Sequence, residues 1–369
     1  MRLADLIRGA GEWLREGGPM HDVVISSRVR LARNLSGVAF LSRCNAAQRI
    51  DIEHRLREQI LQIQPATDMF YVDVAAACEI DRRLLVERHL ISRQHAAGGA
   101  SNVKSKSKPT ATKRPTANPA RGVAIGGGET LAIMVNEEDH LRLQVLRSGL
   151  QLEQAFEDVC RADNLLEERL DFAFHPRFGY LTACPTNVGT GMRVSVMLHL
   201  PALKMTGEIE KVFHAARDMH LAVRGLYGEE TEASGDFFQV SNQTTLGCSE
   251  RQIVTDFRER ILPAFIDYEK RARASLLTKN RVAVEDKVAR ALAVLRSARL
   301  ISSEETMYLL SLVRFGINEG LVEGVDLRTL NELFLLGQPA HLQRVLGHEM
   351  PPQDRSQARA DFVRKQLTR

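Results

Sequence analysis

Every run of the chain patterned like a β-strand lies before about residue 268, and beyond it only helical spacing remains. The strand-like runs are VVISSRVRL, FYVDVA, LAIMV, GYLTACP, RVSVMLHL and FFQVSN, interleaved with helical patterns such as AAQRIDIEHRLREQILQI and GLQLEQAFEDVCRADNLLEERL. Strands and helices in that irregular order predict an α+β fold with an antiparallel or mixed sheet, in place of a regular βαβ array. From Glu269 onward Val284, Val288, Leu292 and Leu295 recur at helical spacing, Ser302 with Glu305 fits a capping box, and Leu327, Leu330, Leu333 and Phe334 repeat before Gly337. Pro339 is placed to open another helix, and Pro351 and Pro352 precede a last one. The organisation expected is a short helical segment over 1–21, a mixed domain over 22–268 and a small all-helical domain over 269–369.

With 369 residues at 44% hydrophobic there is apolar chain for about two such domains. No stretch approaches the ~18 consecutive apolar residues of a membrane span. Asp5, Arg8, Glu12 and Arg15 interrupt the N-terminal apolar residues, unlike a signal peptide, so a cytoplasmic location is expected. Five scattered cysteines, none in a CxxC spacing, predict neither a disulfide framework nor a structural zinc. The formal charge of +4 hints at a nucleic-acid partner, but six basic residues without an acidic one fall between 97 and 128, and without them the chain stands at about −2. That stretch is rich in Ser, Thr, Pro, Gly and Lys, and is read as a low-complexity, disordered surface loop.

Arginines at strand and turn positions carry the chemical signal. In SSRVRLAR, Arg28 and Arg30 fall on one strand face at period two. NEEDHLR brings three carboxylates, His140 and Arg142 to the end of the LAIMV strand; CPTNVGTGMRVSV passes through a Gly/Thr/Asn turn to Arg193; RGLYGE adds Arg224 and Glu229 around two glycines. Five permanently charged guanidinium groups can surround a polyphosphate through bidentate bonds. There is no GxxxxGK[ST] for a P-loop, and no HRD or DFG set for a eukaryotic-type protein kinase.

SSRVRLAR, VNEEDHLR, CPTNVGTG, VRGLYGE and SNQTTLG, in order over about residues 22–260, resemble the catalytic motifs of the phosphagen (guanidino) kinases. The resemblance implies a phosphagen-kinase-like catalytic domain with a mainly antiparallel sheet flanked by helices, using ATP and Mg²⁺, the metal being held mainly by ATP and water with Glu137 near its water shell. It implies phosphate-binding roles for Arg28, Arg30, Arg142, Arg193 and Arg224, and a grip on the guanidine from Glu138 and Glu229, with Glu138 as general base. Supporting ATP contacts fall on Ser26, Ser27 and Val29, on Val194, Ser195, Val196 and Met197, and on Gly225, Leu226, Tyr227, Gly228 and Glu229. His89 matches the histidine beside the adenine, the other reading being an exposed helix histidine. Cys184 matches the cysteine near the guanidine, where a thiolate orients the cation; alternatively it is a small buried residue at a turn.

Two departures, only about 21 residues before Asp22 and an added helical C-terminal domain, resemble the bacterial protein-arginine kinases instead of the small-guanidine enzymes. Without a lid the guanidine site would admit a side chain of a large substrate. That branch implies ATP-dependent phosphorylation of protein arginines in stress response and degradation. Its partners would be protein substrates that include a heat-shock repressor, a zinc-containing activator protein and a Clp-type unfoldase and protease, and a homodimer is expected. It also carries an RDxxRA motif binding phosphoarginine for allosteric control; here Arg355, Arg359 and Ala360 match, with Ser356 in place of Asp. The alternatives are a phosphagen kinase on a free small guanidine, or a non-catalytic adaptor binding phosphoarginine or nucleic acid.

Overall fold

The computed structural model describes residues 3–7, 9–98, 120–226 and 234–368. At the centre of its main sheet, β1 (Val24–Arg33) lies between β5 (Leu141–Ser148) and β8 (Met192–His199). On one side β4 (Leu131–Val135), β3 (Gly122–Ile125) and β2 (Phe70–Asp73) follow β5; on the other, β10 (Phe237–Asn242) and β9 (Leu221–Gly225) follow β8. All pairings of this eight-stranded sheet are antiparallel, in keeping with the expected α+β class. A separate hairpin joins β6 (Phe174–His175) to β7 (Gly179–Tyr180).

Alternation along the strands divides the sheet into two faces. Val29, Leu31, Leu143, Val145, Val194, Val196 and Val240 build the main core with Leu56 and Ile60 of α1 (Ala46–Ile63), Val159 of α4 (Leu152–Glu167) and Phe265 of α8 (Leu262–Lys279). Among the described residues, apolar clusters cover the opposite face at its two ends. At one, Val123, Ile125 and Met134 meet Leu84 and Leu85 of α2 (Glu79–Glu87), with Leu6 beside them. At the other, Ile25, Leu146, Met197 and Phe237 join Trp13 and the C-terminal helices. Each fully buried Leu or Phe is worth roughly 1.5–3 kcal/mol, so both end patches hold firmly while the middle stays uncovered by apolar packing. A register shift between Val24 and Ser26 sends Val24 to the main core and Ile25 to the end patch.

α3 (Arg93–Ala97), α5 (Pro201–Met205), α6 (Ile209–Asp218) and α7 (Glu250–Asp256) complete the helices of this part. The remainder is helical: α9 (Arg281–Ser297), α10 (Ser303–Asn318), α11 (Leu327–Leu336), α12 (Pro339–Leu346) and α13 (Pro352–Leu367). Ser302 caps α10 by accepting from the Glu305 backbone, Pro339 and Pro352 open their helices, and α10 is buried along most of its length. Helix α8 runs unbroken through 268–269, and the chain first breaks at Asn280. Among the described residues no helix is long and apolar enough to cross a membrane.

Three details depart from the sequence reading. Residues 122–125, assigned to the basic loop, form β3, a fully buried strand whose short GVAI run was masked by the polar composition around it; residues 99–119 lie outside the described residues. GYLTACP contributes only the two residues of β7. β5 and β9 carry arginines that interrupt their apolar pattern and were not recognised as strands.

Candidate active site

The uncovered middle of the sheet receives its arginines from four strands. Period two puts Ser26, Arg28 and Arg30 of β1 on one face. Across the register Arg28 stands opposite Ser195, Arg30 opposite Arg193, Ala32 opposite Arg142, and Gln239 opposite both Met197 and Arg224. Like charges at directly opposite positions, as in Arg30 and Arg193, destabilise a bare sheet, so the face is built for an anion. Arg28 donates to Ser195 Oγ at 3.1 Å and Gln239 Oε1 at 2.6 Å, two uncharged partners that orient its charge without cancelling it. Burial pushes the Arg28 guanidinium down to about 10, and Arg142, Arg193 and Arg224 add to the shift. Arg30 is pushed well below its ordinary value by burial, then by Arg28, Arg142 and Arg193, with Glu137 opposing. The five guanidinium groups therefore share one field, as their places in the sequence suggested.

Beside them a cleft is lined by Ser26, Arg28, His89, Leu146, Ser195, Met197 and Gln239. His89 is neither helical nor exposed. It follows α2 in left-handed backbone at φ 59°, its carbonyl accepts from Gln144 Nε2 at 2.6 Å, and its ring meets Trp13 edge-on at 4.6 Å. Burial, then Arg28 and Arg93, push its pKa down to about 3, so it is a neutral aromatic plate at physiological pH.

The acidic side is the turn between β4 and β5. Asp139, fully buried, accepts from Asn34 Nδ2 and from the Ala183 backbone, both at 2.6 Å. His140 Nδ1 accepts from the Leu35 backbone at 3.0 Å. These bonds clamp the turn to the end of β1 and to the residue before Cys184. Glu137 faces inward, accepting from Ser92 Oγ at 2.5 Å and the Glu138 backbone at 2.8 Å and pairing with Arg142 at 2.8 Å. Burial raises its pKa, but Arg142 and Ser92 outweigh that and hold it below the usual range. Its carboxylate is thus engaged by the protein itself. The Glu138 side chain is 40% exposed at the rim, with Arg142 Nη2 3.2 Å from its carboxylate. Arg142 feels burial first, which lowers its pKa, but Glu137, Glu138, Asp139 and Cys184 carry it above its ordinary value. Cys184 therefore lies within the same field, partly exposed, its Sγ 3.0 Å from Thr186 Oγ1. Gly189, at φ +117°, is required in the turn that follows, since a Cβ there would meet Thr245 O at 2.3 Å.

The structure divides the supporting residues expected along the strands. Ser26, Ser195 and Met197 line the cleft, whereas Val29, Val194 and Val196 lie in the main core, because a strand shows only alternate residues to one face. Ser27 is likewise turned away, donating to Gly149 O at 2.8 Å and accepting from the Gln151 backbone at 2.9 Å. Gly225 ends β9 and Leu226 packs with the C-terminal helices; Tyr227, Gly228 and Glu229 lie outside the described residues. On α13, Arg359 is buried and donates to Gly337 O at 2.7 Å and Ile301 O at 3.0 Å, and Ala360 is core. Arg355 alone of the three lines a cleft, with Glu79, Arg83, Gln343, Glu349 and Met350 around it. Gln144, Gln239, Asn34 and Trp13 went unrecognised as site residues. Gln239 had a signal, a polar residue inside the apolar FFQV run, and Asn34 had none. Among the described residues no group of three His, Cys, Asp or Glu side chains is placed to hold a metal ion.

Residues 51–272 match the ATP:guanido phosphotransferase C-terminal catalytic domain, and residues 281–369 match the protein-arginine kinase McsB C-terminal domain. A protein-arginine kinase of Symbiobacterium thermophilum is 46% identical over 365 residues, covering 98% of each chain. One from Halothermothrix orenii is 42% identical over 368 residues, covering 100% of this chain and 99% of its own, and one from Bacillus subtilis is 38% identical over 370, covering 100% and 96%. Among solved structures, lombricine kinase superposes with a TM-score of 0.57 at 25% identity over 74% of this chain and 71% of that one. The duplicated taurocyamine kinase of Schistosoma mansoni with bound transition state analog components has a TM-score of 0.57 at 27% identity, over 73% of this chain and 36% of that one.

Proposed function

The chain belongs to the ATP:guanido phosphotransferase family, in its protein-arginine kinase branch, and from that premise we propose that it transfers the γ-phosphoryl group of ATP to arginine side chains of proteins. The observation that carries this reading is the sheet face on which Arg28, Arg30, Arg142, Arg193 and Arg224 share one field beside the neutral His89. Arg28 and its neighbours neutralise the polyphosphate and hold the transferred group in line, which is most of what phosphoryl transfer asks of a protein. Mg²⁺ would be held mainly by the nucleotide and water, and would supply charge neutralisation to the phosphates.

The substrate guanidinium is a poor nucleophile because its pKa is about 12.5–13.8, so a proton must leave the attacking nitrogen. Glu138, at the rim and oriented by Arg142, takes that proton as general base. Glu229 is the second carboxylate for the guanidinium, and Cys184 orients it. The open rim admits an arginine still attached to a polypeptide. Residues 22–268 form the catalytic domain and 269–369 a helical domain, where Arg355, in its cleft with Arg83, contributes to a phosphoarginine site. Arg359 and Ala360 support that site from beneath by fixing α13. In the cell we place the enzyme in the cytoplasm as a homodimer, marking proteins in stress response. A heat-shock repressor is among its substrates, an activator protein binds it, and a Clp-type unfoldase and protease receives the products.

The test is incubation with Mg·ATP and casein, with free arginine in parallel, reading phosphoarginine by mass spectrometry without acid, which hydrolyses P–N bonds. Modified casein with unmodified free arginine is expected, and Glu138→Gln should abolish the signal while nucleotide affinity stays within about twofold. Modification of free arginine alone would replace this reading with a small-guanidine kinase.

A further inference from the structure

Glu87, Arg88 and His89 pass in succession from α2 into the nucleotide cleft, and the first two are buried in contacts that phosphoryl transfer does not use. The Glu87 carboxylate accepts from the backbone of Ala340 at 2.9 Å and of His341 at 3.0 Å, capping the first turn of α12 in the C-terminal helical part. His341 Nδ1 lies 2.6 Å from the same carboxylate, and its Nε2 lies 3.2 Å from Arg88 Nη1. A neutral imidazole satisfies both contacts, donating to Glu87 and accepting from Arg88. Arg88 forms a fork on Glu129 at 2.7 and 2.6 Å. All four side chains belong to residues less than a tenth exposed. At the other end of α2, Asp81 pairs with Arg344 of the same α12. Helix α2 is therefore held at both ends by one C-terminal helix, and the residue that follows it is His89.

Buried polar networks contribute little net stability compared with apolar packing, but each bond in them admits only one arrangement. We propose that His341, with Glu87 and Arg88, is a positioning latch through which α12 fixes His89 in the nucleotide cleft, so that nucleotide affinity depends on the C-terminal helical part. The inference rests on the nucleotide reading of that cleft, and its test reads binding apart from turnover.

Mg·ATP and Mg·ADP are titrated into the full chain by calorimetry and by the emission of Trp13, the chain's single tryptophan, which lies against His89. His341→Ala should raise Kd for both nucleotides about three- to tenfold, the loss of one or two buried hydrogen bonds, and change the emission of the nucleotide-free protein. His341→Asn, whose amide still donates to Glu87, should recover most of the affinity and keeps the test open if the alanine variant folds poorly. Ser311→Ala, which removes a buried bond of α10 to His199 and Asp236 away from α2, should leave Kd unchanged. In turnover, His341→Ala should raise KM for Mg·ATP with KM for casein unchanged. Unchanged nucleotide Kd in His341→Ala, or equal weakening in Ser311→Ala, overturns the latch. A wild-type chain that binds neither nucleotide overturns the functional reading first, and the latch with it.

Discussion

Buried arginines occur in two regions of this molecule under opposite conditions. In the C-terminal part Arg359 donates to three carbonyls, Arg314 to the His21 carbonyl at 2.7 Å and to Asn331, and Arg273 to Glu269, Glu319 and the Asp22 carbonyl. On the sheet face Arg28 has two neutral partners. Burial lowers the pKa in both regions, to about 9 for Arg314 and about 10 for Arg359 and Arg28. The balance of surrounding charge separates them. Among the described residues, Arg314 and Arg359 each feel one like charge and one opposite, whereas Arg28 feels three like charges and no opposite one. Burial of a cation is thus no sign of function by itself; what marks Arg28 is burial among other cations.

The contrast breaks most visibly in activity. Arg28→Gln should lower kcat/KM about 10²–10³-fold, as the loss of one preorganised charge does, while the melting temperature stays level or rises because repulsion is relieved. A fall in melting temperature with activity intact would reverse the assignment of the two regions. Arg359→Met should do the opposite, costing about 2–4 kcal/mol in urea unfolding by leaving the Gly337 and Ile301 carbonyls unpaired, with kcat per folded molecule little changed.

A smaller, graded effect tests burial in both regions together. His89 and His95 are pushed down by burial, to about 3 and about 4, and His199, bonded to Ser311 of α10, well below its ordinary value. The unfolded chain takes up protons below about pH 6.5 that the folded one refuses. Stability is therefore complete above that pH and declines as pH falls toward the folded values, by up to ~1.4 kcal/mol per pH unit for each histidine. Urea midpoints at about pH 7 and about pH 5 measure the decline, and His199→Gln should remove its own share. A flat profile would mean that these rings titrate normally.

Much of the fold could be read from residue patterns because it is local. The spacing of AAQRIDIEHRLREQILQI matches α1 end to end, and the parity of Arg28 and Arg30 survives in β1. What escaped is set by partners far along the chain. Nothing near Arg30 announces that register puts Arg193 opposite it, and nothing near Glu87 announces His341. Arginines within β5 and β9 hid those strands, since a polar residue facing a site breaks the alternation by which strands are recognised. Trp13 looked like part of a minor N-terminal segment, yet it meets the His89 ring.

The central place of β1 also has a consequence for how the protein is made. Its partners are residues 141–148 and 192–198, and its Ile25 shares a core with Val363 and Leu367. At roughly 5–20 residues per second on the ribosome, the strand that leaves the exit tunnel early waits on the order of tens of seconds for the last helix it packs with. Until residues 141–148 and 192–198 emerge, both edges of the strand are unpaired and open to wrong partners, a natural point for a chaperone to hold the nascent chain.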